Sequence, residues 1–236
     1  MTTCKNCSLE FKGKFCSDCG QKAKTSRITA RQLMKDIRDQ IIHFDSGFLY
    51  TTRELTLRPG HSIRDYVEGK RVKHVKPLKF LLWSTAISFF ILHFLGFEEK
   101  LMQRIQEVEG GNVKTTEAGQ KMMNFISSHS NIVMLCTIPT IALCSWVLFR
   151  KRQFNYAEYF TVNAFLLGQL TLFSILTNLS TVYLGNLSVS QIAIIGSIQW
   201  LGWAVYFGWA YSQFFNEPRR VTTWIKGVLV LMVGYA

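Results

Sequence analysis

Four cysteines near the N-terminus, Cys4, Cys7, Cys16 and Cys19, form a C-x2-C-x8-C-x2-C array. Each C-x2-C turn lets two thiolates converge on one point, and two such turns can surround a single zinc ion tetrahedrally. Gly13 and Gly20 supply the turns and close approach that a small ribbon needs, and Lys12 and Lys14 favour thiolate over thiol. A Cys4 site leaves no open position for a substrate water, so the expected cofactor is structural Zn2+, contributing on the order of 10 kcal/mol to a segment too small for a core of its own. A ribbon that binds a partner or nucleic acid directly and a dithiol redox centre are the other readings of the same residues. A disulfide framework is disfavoured, since the spacing is that of metal ligands and nothing marks the segment as secreted.

A second group is Lys70, Arg71, Lys73 and Lys76, four cations within seven residues immediately before Pro77. Each cation close to an anionic surface adds roughly 1 kcal/mol. These residues are therefore expected to bind lipid headgroups, with a topogenic signal used only during insertion as the plainer reading. No nucleophile–base pair, carboxylate dyad or glycine-rich phosphate loop in its required context is present, which argues against an enzyme and leaves no catalytic residue to name.

The elements that must position these groups fall into three parts: a zinc ribbon over 1–24, cytoplasmic amphipathic and juxtamembrane helices over 25–77, and a transmembrane helical domain over 78–236. The chain has 236 residues, 48% of them hydrophobic and 18% charged, with the apolar residues gathered in long runs. That pattern excludes an ordinary soluble domain. The predicted fold class is membrane all-α, with four complete spans at about 78–97, 131–149, 159–182 and 188–215 and a partial fifth at 224–236, where the 13 residues fall short of the roughly 20 a crossing needs. The partial fifth span is read as truncation.

Between ribbon and spans, Thr29 with Gln32 reads as a capping box opening a helix to Phe44, its apolar face carrying Leu33, Met34, Ile37 and Ile41. A second helix is predicted over Phe48–Leu57, stopped by Arg58-Pro59-Gly60. A third is predicted to start at Ser62, with Asp65 in its first turn, and to end at Gly69. These helices either lie on the inner leaflet as a platform or pack against the cytoplasmic ends of the spans.

Net charge is +12, and residues 1–77 hold 16 of the 27 Lys/Arg. The connections alternate: 98–130 carries 4 Lys/Arg against 5 Asp/Glu, 150–158 carries Arg150, Lys151 and Arg152, 183–187 is uncharged, and 216–223 carries Arg219 and Arg220. Under the positive-inside rule the head, 150–158 and 216–223 face the cytoplasm. The expected location is therefore a membrane with a cytoplasmic N-terminus, on the reducing side that suits thiolates. Within the spans, only His93 and Lys79 are charged or titratable apart from thiols and tyrosine phenols, which weighs against an ion-coupled carrier. Asn163, Gln169, Thr171, Asn178, Gln191 and Gln199 read as hydrogen-bonding glue between helices, with pore lining the rarer reading; Gly196, Gly202, Ala204 and Gly208 would allow close packing, Ala204 and Gly208 as a small-xxx-small pair.

Cys4-Lys5-Asn6-Cys7, Gly13 to Gln21, Phe48 to Leu57 with Arg58-Pro59-Gly60, and Tyr66-Val67-Glu68-Gly69-Lys70-Arg71 with Pro77 together resemble an uncharacterised bacterial family, a domain of unknown function with a zinc-ribbon head and a multi-pass inner-membrane body. The resemblance is specific over about residues 1–80 and implies cysteine ligation and membrane location. More distantly, the chain is similar to small multi-pass membrane accessories encoded beside RNA-targeting CRISPR effectors.

Three functions follow as expectations. The first is a membrane adaptor or regulator whose head binds a protein partner, its body anchored among lipids of the anionic inner leaflet. The second is a pore or small-solute carrier, formed as a homo-oligomer and gated by the head. The third is a nucleic-acid-linked defence accessory whose head binds RNA.

Overall fold

A computed structural model describes residues 1–33, 47–97, 100, 130–183, 189–217 and 221–235. Two strands, β1 (Thr2–Thr3) and β2 (Glu10–Phe11), pair antiparallel with Thr2 opposite Phe11. The helices bounded within the described residues are α1 (Gly47–Leu57), α2 (Pro59–Glu68), α3 (Pro77–Phe94), α4 (Ser130–Leu148), α5 (Tyr156–Tyr183), α6 (Val189–Phe214) and α7 (Val221–Tyr235).

Three described helices are long and apolar enough to cross a membrane: Pro77–Phe94, Tyr156–Thr181 and Ser190–Phe214. At 1.5 Å per residue each reaches about 27 Å or more, close to the roughly 30 Å hydrocarbon thickness. They mark a membrane protein of helical type. The span expected over 131–149 is helical over Ser130–Leu148, but its described apolar part, Thr137–Leu148, is shorter than a crossing, as is Val221–Gly234 in α7. The described residues therefore establish three complete candidates where the sequence predicts four.

The bundle is closed by small residues. Gly168 of α5 receives α3, and a Cβ there would lie 2.9 Å from the Phe80 ring and 3.2 Å from Leu81 Cα. Gly208 and Gly227 let α6 and α7 cross so closely that a Cβ on Gly227 would sit 3.0 Å from Gly208 Cα, the close packing expected at Gly208; a Cβ on Gly196 or Gly202 would meet nothing within 4 Å among the described residues, so those two glycines do not serve close packing here. At the junction of α4, α5 and α6, Asn163 Nδ2 donates to Ser145 Oγ at 2.9 Å, and the Tyr211 hydroxyl lies 2.7 Å from Ser145 Oγ and 3.1 Å from Asn163 Oδ1. All three residues are buried, so this polar node pins three helices in one register without stranding a donor in apolar surroundings.

Helices α1 and α2 form a hairpin that belongs to this core. Phe48, Leu55, Ile63, Tyr66 and Val67 are buried in the same apolar cluster as Phe80 and Phe165. Gly60 sits so tightly on α6 that a Cβ would come within 2.0 Å of the Ala210 carbonyl oxygen and 2.4 Å of the Phe214 nitrogen. Gln213 accepts the Gly60 N–H at 3.1 Å, Arg64 donates to the Phe214 carbonyl at 3.1 Å, and the Tyr206 hydroxyl donates to the Leu55 carbonyl at 2.9 Å. Of the two arrangements open to these helices, packing against the ends of the spans is the one observed.

The start of α2 corrects the sequence reading. Helix α2 begins at Pro59, not Ser62, because proline's fixed φ suits the first helical position and its missing N–H costs nothing there. Arg58 alone makes the break, and Ser62 lies inside α2 with its N–H bonded to the Arg58 carbonyl at 3.0 Å. Gly69 ends α2 at φ +120°, and Pro77 opens α3, as expected. Upstream, the Gln32 N–H donates to the Thr29 hydroxyl at 3.3 Å and a helix has begun by 30–33, while Met34, Ile37, Ile41 and the remainder of that predicted helix lie outside the described residues.

Candidate metal centre and its docking surface

Two knuckles of the same geometry build the centre. In the first, the Cys4 N–H donates to the Leu9 carbonyl and the Ser8 N–H to the Cys4 carbonyl, both at 2.9 Å. In the second, the Cys16 N–H donates to the Gln21 carbonyl at 2.8 Å and the Gly20 N–H to the Cys16 carbonyl at 3.0 Å. Each turn closes on a left-handed residue four positions after its first cysteine, Ser8 at φ 64° and Gly20 at φ 72°. Glycine adopts that conformation freely, whereas serine is strained there and is held by the pair of bonds.

The sulfurs converge as the spacing requires. Cys4 Sγ lies 3.5 Å from Cys19 Sγ, Cys7 Sγ lies 3.6 Å from Cys16 Sγ, and all four sulfurs fall within 4.8 Å of one another. None is in a disulfide, for which sulfurs would stand about 2.05 Å apart. A tetrahedral ion with metal–sulfur bonds of about 2.3 Å places its ligands about 3.8 Å apart, so these four residues fit a metal ion. Burial opposes charge on Cys4, but the backbone N–H groups of Cys7 and Asn6 and the thiols of Cys19 and Cys7 outweigh it and bring Cys4 down to about 7. The Leu9 backbone favours the Cys7 thiolate, yet burial and the other three thiols push Cys7 well up. Cys4 and Cys7 are thus pushed in opposite directions, and a bound cation would favour the thiolate at both.

Apart from cysteine, the head's core is small. Phe11 packs with Cys4 and Cys16, with Ala23 at the margin. Phe15 is instead 56% exposed, bridged across the second knuckle to Lys22, with Lys12 and Lys14 exposed beside it in the chain. Nothing in the sequence marks that solvent-facing ring, since one aromatic residue between Lys14 and Cys16 carries no periodic signal.

Contacts that residue order could not reveal dock the head on the helical body. The Arg27 guanidinium forms a bidentate ion pair with Glu158, donating from Nε to Oε1 at 2.7 Å and from Nη2 to Oε2 at 2.8 Å, and also donates to the Gln153 carbonyl. Glu158 is 2% exposed and accepts the Asn155 N–H at 2.7 Å, while Asn155 Nδ2 donates to the Ile28 carbonyl at 3.0 Å. Pairing with Glu158 holds the Arg27 guanidinium above its ordinary range. Gln21, also buried, donates to the Gly69 carbonyl at 2.9 Å.

The four cations expected to bind lipid do not share one task. Lys70 pairs with Asp65 at 2.8 Å. Arg71 lies 5.4 Å above the Tyr66 ring and donates to the Ser26 carbonyl at 3.1 Å, so it holds the head. Lys73 is exposed, 6.0 Å from the Tyr50 ring centroid, and Lys76 caps the start of α3. Between them His74 meets the edges of Tyr50 and Tyr66 at 5.2 and 6.0 Å, and burial pushes its imidazole below the usual range, aided by Arg58 and opposed by Glu54 and Asp65.

A helical membrane body carrying a four-cysteine, metal-competent head is the class that fold and site define. Residues 45–89 match the family model described as "Protein of unknown function (DUF3667)", a segment that takes in α1, α2 and most of α3 and leaves the cysteine knuckles outside it. No curated protein and no solved structure matches the chain.

Proposed function

We propose that this protein is a non-catalytic adaptor or regulator of a bacterial inner membrane, in which a cytoplasmic head held together by structural zinc presents a surface to a protein partner. The observation that carries this reading is the closed set of four thiolates on a module fastened to the helical body at Gly69 and Glu158. All four coordination positions are taken by protein, which suits a scaffold and not a Lewis-acid catalyst. In this reading Ser130–Leu148 is a fourth span, Val221–Tyr235 belongs to a fifth, and Arg150, Lys151 and Arg152 lie with the head on the cytoplasmic side. Lys73 faces the anionic leaflet beside the first span, with the other members of the basic run serving mainly the fold.

The exposed Phe15, with Lys12, Lys14 and Lys22 around it, favours nucleic acid as the second reading, since an unpaired base can stack on an aromatic ring while lysines meet phosphate. A pore has less support. The outward face of α6, with Ile194, Ile198, Leu201 and Val205 exposed, is apolar and suits lipid or a second copy of the chain better than water.

Copurification from membranes, with mass spectrometry and RNA sequencing of the bound material, tests the choice. A stoichiometric protein lost on Phe15→Ala supports the adaptor, and RNA recovered in place of protein overturns it in favour of the second reading. Topology is checked separately: an impermeant thiol reagent applied to intact cells should spare a cysteine placed at Lys151 and modify one placed at Asn112, and the reverse pattern would invert the orientation.

A further inference from the structure

Both knuckles of the ribbon bear on the same point of the helical body. Gln21 follows Cys19-Gly20, and its Nε2 donates to the Gly69 carbonyl at 2.9 Å and to the Thr25 hydroxyl at 3.0 Å. Lys5, inside the first knuckle, covers Gly69 from another side: a Cβ on Gly69 would meet Lys5 Cδ at 2.9 Å, and Lys5 Nζ donates to the Thr25 carbonyl at 3.2 Å. Gly69 is where α2 stops, its N–H shared between the Asp65 and Tyr66 carbonyls. Two residues on, Arg71 reaches back to the Ser26 carbonyl. The head therefore clamps the end of the hairpin.

This clamp depends on the metal centre. Gln21 is oriented by its own carbonyl, which accepts the Cys16 N–H at 2.8 Å, a bond that defines the second knuckle. Three buried residues, Cys4, Phe11 and Cys16, are too little apolar surface to hold either knuckle without a cation binding the thiolates. The other attachment differs. Arg27 and Ile28 meet Glu158, Gln153 and Asn155 from outside the knuckles, and Ile28 is buried in the core of the body, not of the ribbon.

We propose that metal occupancy of the Cys4 centre works as a latch on α2: the loaded head clamps the turn at residues 69–71, and the emptied head releases it while remaining tethered through Arg27 and Glu158. This inference rests on the metal-holding reading of the head and adds its regulation. Release uncovers the Gly69 carbonyl and the end of a hairpin that is packed, through Gly60 and Arg64, on the last turn of α6. Loss of metal in the head is thereby passed to the helices.

Hydrogen exchange read by mass spectrometry, on the full chain in lipid nanodiscs, tests the latch in three samples: metal-loaded, chelated, and Gln21→Ala with metal. Chelation should speed exchange over both 15–23 and 66–71 while 156–162 stays protected. Gln21→Ala should keep one metal per chain and speed 66–71 alone by about tenfold, the loss expected for one buried hydrogen bond. Exchange at 66–71 that ignores chelation, or ignores Gln21→Ala while metal is retained, would overturn the latch. A wild-type sample that binds no metal would overturn the metal-centre reading itself, a separate result.

Discussion

Head and body are held together by opposite means. In the body, 30 buried residues from the hairpin, the bundle and the linker form one continuous apolar cluster, in which Tyr159, Phe80, Phe165, Phe207 and Phe214 are wholly covered. In the head, two of the three fully buried core residues are cysteines. Burial at about 25 cal/mol per Å² can stabilise the first many times over, but it leaves almost nothing for the second. On the metal-holding reading of the head, one chain carries two stabilities of different origin, one set by packing and one by an ion, joined where Gln21 and Arg27 meet the helices.

Removing a ligand should break this comparison most sharply. Cys16→Ser is expected to lose metal and, with it, a term on the order of 10 kcal/mol that folds the head. Trypsin should then cut at the exposed Lys14, Lys22 and Lys24, while the helices of the body stay folded beyond the freed end of α2. A head that stays resistant in this variant would mean that its own packing suffices.

Gly60→Ala attacks the body instead. The new methyl would lie 2.0 Å from the Ala210 carbonyl oxygen, and backbone at that distance cannot turn aside as a side chain could. The expected cost is about 3 kcal/mol, seen as a lower Tm of the helical signal with metal content unchanged. A variant as stable as wild type would show that the hairpin is not docked on α6.

Arg27→Ala separates the two regions without entering either core. It leaves Glu158 buried with its charge met only by the Asn155 N–H and its own helix terminus. Because the Arg27 side chain is 56% exposed, the expected loss is discounted to about 1–2 kcal/mol. Double-mutant analysis with Glu158→Gln should show coupling of that size, and additive effects would remove the ion pair from the account.

The smallest effect expected is a pH dependence in the juxtamembrane turn. His74 is held below its ordinary value by burial, so the unfolded chain binds the proton more readily than the folded one. Stability from this site is therefore complete above the unfolded value near 6.5 and falls as pH drops below it. His74→Phe should flatten that slope between pH 7.5 and 5.5, and a slope that survives the substitution must come from another group.

What the sequence discloses follows from how local each signal is. The cysteine spacing, the left-handed stop at Gly69 and the helix start at Pro77 are written in a few adjacent residues, and each is found where its chemistry puts it. Pro59 is as local but ambiguous, since the same ring can end one helix or open another. Arg27 and Glu158 are 131 positions apart and touch only because the head folds back on α5, so no pattern could pair them. The basic run before Pro77 shows the limit of counting charges, for Lys70 and Arg71 are engaged within the protein by Asp65, Tyr66 and Ser26. Periodicity likewise could not choose between a leaflet-bound platform and a packed hairpin, because an apolar face suits both.

On the metal-holding reading, an ion does in the head what packing does in the body. Elemental analysis of the full-length wild-type protein, purified from membranes without added metal, tests it most directly. One zinc per chain is expected, falling to near zero when Cys4 and Cys16 are both changed to serine. Wild-type protein free of zinc, or a double variant that keeps the full stoichiometry, would contradict it.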